Sequence, residues 1–161
     1  MTTKENKLDN VVKKIIIGAD HLGLPLKESM IEHLKEIGIK VTDVGVHSEH
    51  PVNYPDIAVQ LARRISSGEF ERGILVCGTG IGMAITANKI PGVRAAVIHD
   101  AYSAERAVAS NNAHIAAFGS LVIGVNAAIK MLDIWLNSEY IPGGRSQPKV
   151  DLIDALDKKR D

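Results

Sequence analysis

The stretch VCGTGIGM, residues 76–83, holds five residues that together could move a proton: Cys77, Gly78, Thr79, Gly80 and Gly82. A cysteine that ends a strand just before a helix faces free main-chain N–H groups, and the helix dipole there stabilises a thiolate. The same N–H groups, left accessible because glycine has no side chain, could bind an oxyanion beside the threonine hydroxyl. A thiolate base facing such donors suits proton abstraction next to a carbonyl group, through an enediolate.

The same stretch also has a purely structural interpretation. A lone cysteine at the end of a strand is often a small core residue, and a glycine-rich turn can simply be tight. The pattern does not match a dinucleotide-binding fingerprint cleanly, because Met83 stands where the last glycine of G-x-G-x-x-G would be. It also lacks the lysine of a P-loop. A nucleotide-binding module therefore stays a weaker alternative to an enzyme.

Alternating apolar runs and helical patterns place the cysteine in a fold. The apolar runs predict strands at 13–18, 39–45, 72–77, 93–98 and 114–119. The patterns between and after them predict helices over 25–38, 54–68, 82–89, 101–110 and 124–137. This alternation predicts an α/β fold, a three-layer Rossmann-like sandwich with a five-stranded parallel sheet and helices on both faces. A polar tail at 141–149 leads to a C-terminal tail helix over 150–159.

The first predicted helix has a clear amphipathic pattern. Its apolar face is predicted to contain Leu26, Met30, Leu34 and Ile37. Its solvated face is predicted to contain Lys27, Glu28, Glu32, Lys35 and Glu36.

Ligands of open parallel sheets bind beyond the carboxyl ends of the strands, and three such ends carry unusual residues. The loops at 18–23, 47–56 and 77–82 bring four of them: Asp20, His21, Tyr54 and Cys77. Polar side chains that converge beside a glycine-rich helix start are typical of a pocket for a small anionic ligand. The remaining histidines show no metal-ligand spacing, so we expect no metal.

The bulk composition excludes several classes of protein. The 161 residues suit one domain, which we place at 13–161 after a disordered or tag-like extension at 1–12. The formal net charge is zero and aromatic residues make up 4%, so we expect neither a nucleic acid nor a membrane as partner. No apolar run reaches the length of a membrane span. The single cysteine cannot form an internal disulfide, which favours the cytoplasm.

Five motifs give the chain a resemblance to a known family. They are GADHLG, NYPD, CGTGIGMAITANKIPGVRAA, SNNAHIAAFGS and GGRSQPKV, and they extend from about Lys14 to Leu156. In order and spacing they resemble the family of ribose-5-phosphate isomerase B and galactose-6-phosphate isomerase. The resemblance implies an aldose–ketose isomerase that acts on a phosphorylated sugar without a cofactor. It also implies a homodimer or homotetramer whose active sites are shared between chains.

The resemblance assigns roles by position. Cys77 would be the base that moves a proton between C1 and C2, while Thr79 and the amides of 78–82 would steady the enediolate. The sugar and phosphate pocket would be lined by Asp20, His21 and Tyr54. Asn111 would contact a substrate oxygen. From the partner chain, Arg145 and Lys149 would hold the phosphate, and an arginine suits bidentate phosphate contact.

Three positions depart from the ribose-5-phosphate pattern and predict the choice of sugar. Ser110 stands where those enzymes commonly carry a ring-opening histidine, Leu121 where they carry a phosphate-binding arginine, and Ser146 where a histidine is typical. The favoured substrate is therefore a short open-chain sugar phosphate such as D-erythrulose 4-phosphate, which needs no ring opening. The alternatives are ribose 5-phosphate, with His99 or His114 opening the ring, and one subunit of a hetero-oligomeric galactose-6-phosphate isomerase.

Overall fold

The structure is a computed structural model of the chain, and it describes residues 12–159. Residues 1–11, 160 and 161 lie outside the described residues. The disordered or tag-like extension over 1–12 falls almost entirely in that part, so it stays a prediction, as does the single domain over 13–161.

Five parallel strands form the central sheet, in the order β2-β1-β3-β5-β4. The strands are β1 Lys14–Ala19, β2 Lys40–Asp43, β3 Gly73–Cys77, β4 Ala95–Val97 and β5 Ile115–Gly119. The helices are α1 Leu24–Glu36, α2 Tyr54–Ser66, α3 Ile81–Ala87, α4 Ala101–Ala109, α5 Val125–Leu136 and α6 Gln147–Asp154. All ten predicted strands and helices of the sandwich are present, with bounds that differ by a few residues.

The helices cover both faces of the sheet, which confirms the predicted three-layer α/β sandwich. Helices α1, α4 and α5 pack on one face, in a core that includes Ile15, Ile17 and Trp135. Helices α2 and α3 pack on the other face, in a core that includes Ile16 and Cys77. A strand buried on both faces needs apolar side chains at every position, which explains the β-branched run of β1.

Two expectations for α1 are wrong. Lys27, predicted on the solvated face, has only 1% of its side chain exposed and forms an ion pair with Asp43 at 2.8 Å. Ile37, predicted on the buried face, lies after the last helical residue and is 49% exposed. Periodicity within one helix cannot reveal a carboxylate at the end of a neighbouring strand, and the helix ends one residue before the apolar stripe does.

The tail helix also differs from the prediction. Helix α6 begins at Gln147 rather than at residue 150, and a 3₁₀ turn follows at Asp157–Lys159. Pro148 lies in the first turn, where its fixed φ favours a helix and its missing N–H has no cost. Lys149, taken from the sequence as part of an irregular tail, therefore lies within this helix.

The tail is attached to the edge of the sheet at which the strands begin, called the amino edge below. Arg94 there forms an ion pair with Asp154 of α6, and the main-chain N–H of Gly92 donates to the carboxylate of Asp157 at 2.7 Å. Arg94 Nε also donates to the carbonyl oxygen of Asn112 at 3.0 Å. One arginine thus joins the tail to the segment that leads into β5.

His114 lies within this cluster and gives stability a pH dependence. Its Nδ1 accepts the main-chain N–H of Arg94 at 3.1 Å, and burial together with the charge of Arg94 lowers its pKa to about 4. Because the folded pKa lies below the ordinary value of 6.5, the unfolded chain binds more protons between these values. The stability contributed by neutral His114 is therefore complete above pH 6.5 and is lost as the pH falls towards 4.

We expect His114→Asn, whose Oδ1 replaces Nδ1 as acceptor, to flatten this pH dependence. The measurement is the urea midpoint of unfolding at several pH values from 7 to 4, for the wild type, for His114→Asn and for a control, His50→Asn. His50 is exposed, so its replacement should leave the wild-type slope intact. An unchanged slope in His114→Asn would contradict the assignment.

Candidate active site

The candidate site lies at the edge where the strands end, called the carboxyl edge below. Cys77 ends β3 and pairs in register with Gly119, which ends the neighbouring β5. Ala19 ends β1 on the other side of β3, directly before Asp20. Parallel strands bring all of their carboxyl ends to one edge, so the loops after β1 and β3 meet there.

Cys77 is 5% exposed and its sulfur has a defined hydrogen-bond partner. The main-chain N–H of Gly80 donates to Cys77 Sγ at 3.1 Å. An N–H donor in this position can hydrogen-bond to a thiolate sulfur. Thr79 is exposed beside it, and its Oγ1 accepts the N–H of Ile81 at 3.2 Å. The arrangement can hold a thiolate next to a hydroxyl and to main-chain donors.

Two glycines of this loop are required by close approach. Gly80 has φ +77°, a left-handed conformation that favours glycine, and a Cβ there would lie 2.9 Å from the main chain of Phe118. A Cβ on Gly82 would lie 2.5–2.6 Å from the ring and hydroxyl atoms of Tyr54. The loop is thus held between β5 on one side and the first residue of α2 on the other.

The loop after β1 supplies Asp20 and His21. Asp20 is 4% exposed, and its Oδ1 accepts the N–H of Gly23 at 2.9 Å at the start of α1. His21 Nδ1 accepts the N–H of Val52 at 3.4 Å, in the loop that leads to Tyr54. The structure therefore brings the predicted residues of all three loops to one edge.

His99 also lies at the carboxyl edge, whereas His114 does not. His99 Nε2 accepts the N–H of Gly119 at 2.9 Å. Burial lowers the pKa of this imidazole, and the negative charge of Asp100 offsets only part of that shift. His114 precedes β5 at the amino edge, where both of its ring nitrogens face Arg94. Of the two histidines considered for ring opening, only His99 lies at the same edge as Cys77.

Four further predicted residues, Ser110, Asn111, Arg145 and Ser146, belong to segments at or towards the amino edge of the same chain. Ser110 and Asn111 follow α4 and precede β5, so the length of β5, four steps or roughly 13 Å, separates their edge from Cys77. Arg145 and Ser146 belong to the tail, between Pro142 and α6, and Arg145 is exposed. Among the hydrogen bonds and ion pairs of residues 12–159, none joins these side chains to Cys77.

A cavity of about 640 Å³ opens at the amino edge. It is lined by residues that precede strands and by the start of the tail, among them Lys14, Arg72, Asn112, Tyr140 and Pro142. By contrast, Tyr54, Thr79 and Leu121 at the carboxyl edge are exposed. The carboxyl edge therefore combines exposed side chains with the nearly buried Cys77 and Asp20.

Within residues 12–159, no group of three or more His, Cys, Asp or Glu side chains could hold a metal ion. Of the helices described there, none has both the length and the apolar character needed to cross a bilayer.

Comparison with known proteins identifies the family. Residues 15–153 match the family described as Ribose/Galactose Isomerase. The chain belongs to the ribose/galactose isomerase family. This confirms the family predicted from the five motifs, and it makes the chain a sugar-phosphate isomerase.

The relatives in this family are named for different substrates. The isomerase is 55% identical over 146 residues to "Ribose-5-P isomerase B" of Listeria innocua, covering 91% of this chain and 98% of the relative. It is 48% identical over 141 residues to "D-erythrulose-4-phosphate isomerase" of Pectobacterium atrosepticum, covering 86% of this chain and 91% of the relative. The solved ribose-5-phosphate isomerase B of Clostridium thermocellum superposes with a TM-score of 0.89 at 42% identity, covering 92% of this chain and 99% of the solved chain.

Two residues of the isomerase's carboxyl edge, Ser120 and Leu22, were not predicted from the sequence. The hydroxyl of Ser120 lies 2.8 Å from the carbonyl oxygen of Leu22 and 3.2 Å from that of Cys77, and so bridges two loops. The side chains of Leu22 and Leu121 both lie against Gly78, since a Cβ there would come within 3.2 and 3.4 Å of them. The motifs GADHLG and AFGS contain Leu22 and Ser120, but neither residue type indicates a site by itself.

Proposed function

We propose that the isomerase interconverts an aldose phosphate and a ketose phosphate with Cys77 as the base. The observation that carries the proposal is the hydrogen bond from Gly80 N–H to Cys77 Sγ, in a loop whose other members are a threonine and glycine amides. The thiolate removes a proton from the carbon next to the carbonyl group and returns it to the neighbouring carbon. Meanwhile a proton passes from one substrate oxygen to the other.

The oxyanion that forms in this reaction needs donors already in place. The main-chain amides of 78–82 and the hydroxyl of Thr79 lie beside the cysteine and can stabilise the enediolate. Asp20, His21 and Tyr54 surround this loop and would bind the hydroxyl and phosphate groups of the sugar. The chemistry uses only side chains and amides of the chain, so we expect no cofactor.

We propose that a partner chain completes each site, in a homodimer or homotetramer. Asn111, Arg145 and Lys149 are exposed on segments at or towards the amino edge, while Tyr54, Thr79 and Leu121 are exposed around Cys77 at the carboxyl edge. An arginine offers a planar fork of donors that fits a phosphate, so a partner's Arg145 suits the anionic end of the substrate. Exposed apolar residues of the tail, such as Ile141 and Leu152, are consistent with contact between chains.

The favoured substrate is D-erythrulose 4-phosphate, converted to D-erythrose 4-phosphate. A tetrose phosphorylated on its terminal oxygen cannot close a ring through that oxygen. An enzyme for this substrate therefore needs no ring-opening histidine, and Ser110 at that position is compatible with turnover. Leu121 is 75% exposed and, with Leu22, presents an apolar wall beside Gly78 instead of a charged donor. A relative named D-erythrulose-4-phosphate isomerase at 48% identity supports this choice.

Ribose 5-phosphate is the second candidate substrate. It is favoured by the 55% identity to a relative named ribose-5-P isomerase B and by His99 at the carboxyl edge. The hydrogen bond to its Nε2 leaves Nδ1 of the neutral ring as the protonated nitrogen, which could donate to a ring oxygen. A hetero-oligomeric galactose-6-phosphate isomerase subunit and a cytoplasmic location also stay predictions.

A substrate panel tests the choice of sugar. We expect the purified chain, without any second polypeptide, to convert D-erythrulose 4-phosphate with kcat/KM at least about tenfold above that for ribose 5-phosphate or galactose 6-phosphate. Turnover can be followed by NMR of the substrate carbons. Ribose 5-phosphate as the best substrate by a wide margin would refute the tetrose proposal, and no turnover of any sugar phosphate would refute the proposal as a whole.

A matched pair of variants examines the wall beside Gly78. Leu121→Arg adds a cation near the loop and should raise the kcat/KM for ribose 5-phosphate relative to the tetrose, by about 10-fold. Val122→Arg adds the same charge one residue away on an exposed side chain and should leave the ratio unchanged. Equal shifts in both variants would indicate a general effect of charge.

A further inference from the structure

Lys27 is the one lysine among residues 12–158 that is almost fully buried. Its Nζ lies 2.8 Å from each carboxylate oxygen of Asp43 and 2.5 Å from the carbonyl oxygen of Val46. Three acceptors match the three N–H donors of an ammonium group, so the charge is fully hydrogen-bonded without water. The ammonium thereby ties the second turn of α1 to the end of β2.

The segment that Lys27 holds, residues 43–46, is itself bonded to the end of β1. Asp43 Oδ1 also accepts the N–H of Gly45 at 2.9 Å. The carbonyl oxygen of Gly45 accepts the N–H of Ala19 at 2.7 Å, and the N–H of Val46 donates to the carbonyl oxygen of Ala19 at 2.8 Å. Ala19 directly precedes Asp20, so the ammonium lies behind the loop after β1.

The same segment starts the loop that leads to the other side of the candidate site. From Val46 the chain runs to Val52, whose N–H donates to His21 Nδ1, and then to Tyr54, whose ring lies on Gly82. The position of residues 43–46 therefore determines where this loop begins, at the point where it approaches both the His21 loop and the glycine loop.

We propose that Lys27 is a positioning residue for the isomerisation. Its buried ammonium fixes residues 43–46, and through them it sets the loop at 47–53 that holds His21 and presents Tyr54. This inference rests on the proposed function, in which His21 and Tyr54 contact the substrate. In this proposal Lys27 acts through these residues and not on the substrate, because its side chain is 1% exposed and its ammonium is bonded to Asp43 and Val46.

Stability alone does not explain a buried ion pair at this place. Burying the Lys27 ammonium against an Asp43 side chain that is 24% exposed has a desolvation cost, and neutral pairs of similar volume often replace buried ion pairs with little loss of stability. What an apolar residue cannot do is bind Asp43 and the Val46 carbonyl together, which is the contact that fixes the loop.

Three variants separate positioning from stability. Lys27→Met removes the ammonium and leaves the Asp43 carboxylate without its cation, whereas Lys27→Met/Asp43→Asn removes both charges. Lys35→Met replaces an exposed lysine of the same helix as the control. Each is assayed well below its melting temperature, with the best sugar phosphate of the panel and with hydrogen exchange of the amides at 43–52 and 77–82.

We expect the double variant to recover most of the melting temperature lost in Lys27→Met, because no unpaired charge remains buried. Both variants should nevertheless show kcat/KM lowered by about 10- to 100-fold, the scale set by misplacement of binding groups by about 1 Å. Amide exchange should accelerate at 43–52 and stay unchanged at 77–82, a difference that a loss of global stability would not produce.

Wild-type kcat/KM and exchange in the double variant would overturn the inference, and so would equal acceleration of exchange in both segments. The exchange measurement does not depend on turnover. If the wild type converts no sugar phosphate, the proposed function fails, while exchange at 43–52 still decides whether Lys27 fixes this loop.

Discussion

Cys77→Ala is expected to lower kcat by about 10³-fold or more, within the about 10²–10⁴-fold that a general base contributes. The substitution removes the only thiol of the chain, whereas the Gly80 amide and the Thr79 hydroxyl stay in place. Since the side chain is small, the fold and the affinity for inorganic phosphate should change little. The measurements are kcat on the best sugar phosphate, far-ultraviolet circular dichroism and calorimetric titration with phosphate.

Two controls sharpen this experiment. Cys77→Ser keeps the shape but supplies a hydroxyl that is a far weaker acid, so it should be nearly as inactive as Cys77→Ala. Because Cys77 is the single cysteine, alkylation with iodoacetamide reports on it alone, and substrate should protect it. A Cys77→Ala enzyme that keeps most of its turnover would show that the base is another group.

Arg145→Ala is expected to raise KM by about 10- to 100-fold with a smaller effect on kcat, since a hydrogen bond to a charged group contributes about 1.5–3 kcal/mol. The exposed Arg63 on α2 offers a matched control, and Arg63→Ala should leave KM unchanged. An unchanged KM in Arg145→Ala would remove this residue from the phosphate site.

Mixed assemblies test whether Arg145 acts on the cysteine of another chain. A Cys77→Ala chain and an Arg145→Ala chain, co-expressed with different tags, should together recover about a quarter of the wild-type activity when the substrate concentration is well below the wild-type KM, where Arg145→Ala alone should have about a tenth of that activity or less. Half of the dimers are then mixed, and each mixed dimer contains one complete site. Failure of the pair to exceed the activity of either variant alone would indicate that each site is built within one chain.

Much of this fold follows from local patterns in the sequence. The β-branched run at 15–17 predicts a strand buried on both faces, and Gly38 and Gly68 end the helices where the structure ends them, within two residues. The meeting of Asp20, His21 and Tyr54 with the glycine loop follows from one physical rule, that parallel strands deliver their carboxyl ends to a single edge.

Other features depend on contacts that no local pattern contains. The burial of Lys27 depends on Asp43, sixteen residues away and on another element, and the wall beside Gly78 depends on Leu22 and Leu121, which are 99 residues apart in the sequence. The roles proposed for Asn111 and Arg145 rest on the family resemblance, because the sequence around each residue does not indicate which group it would contact.

Because Cys77 lies at the carboxyl edge and the tail that carries Arg145 is attached at the amino edge, the working site that we propose exists only while chains are associated. Specific activity should then follow mass action, falling when the protein is diluted below the dissociation constant of its assembly and returning when it is concentrated. Substrate, bound by both chains at once, would oppose this loss by holding the chains together. Catalysis and assembly would in this way be linked equilibria of the same protein.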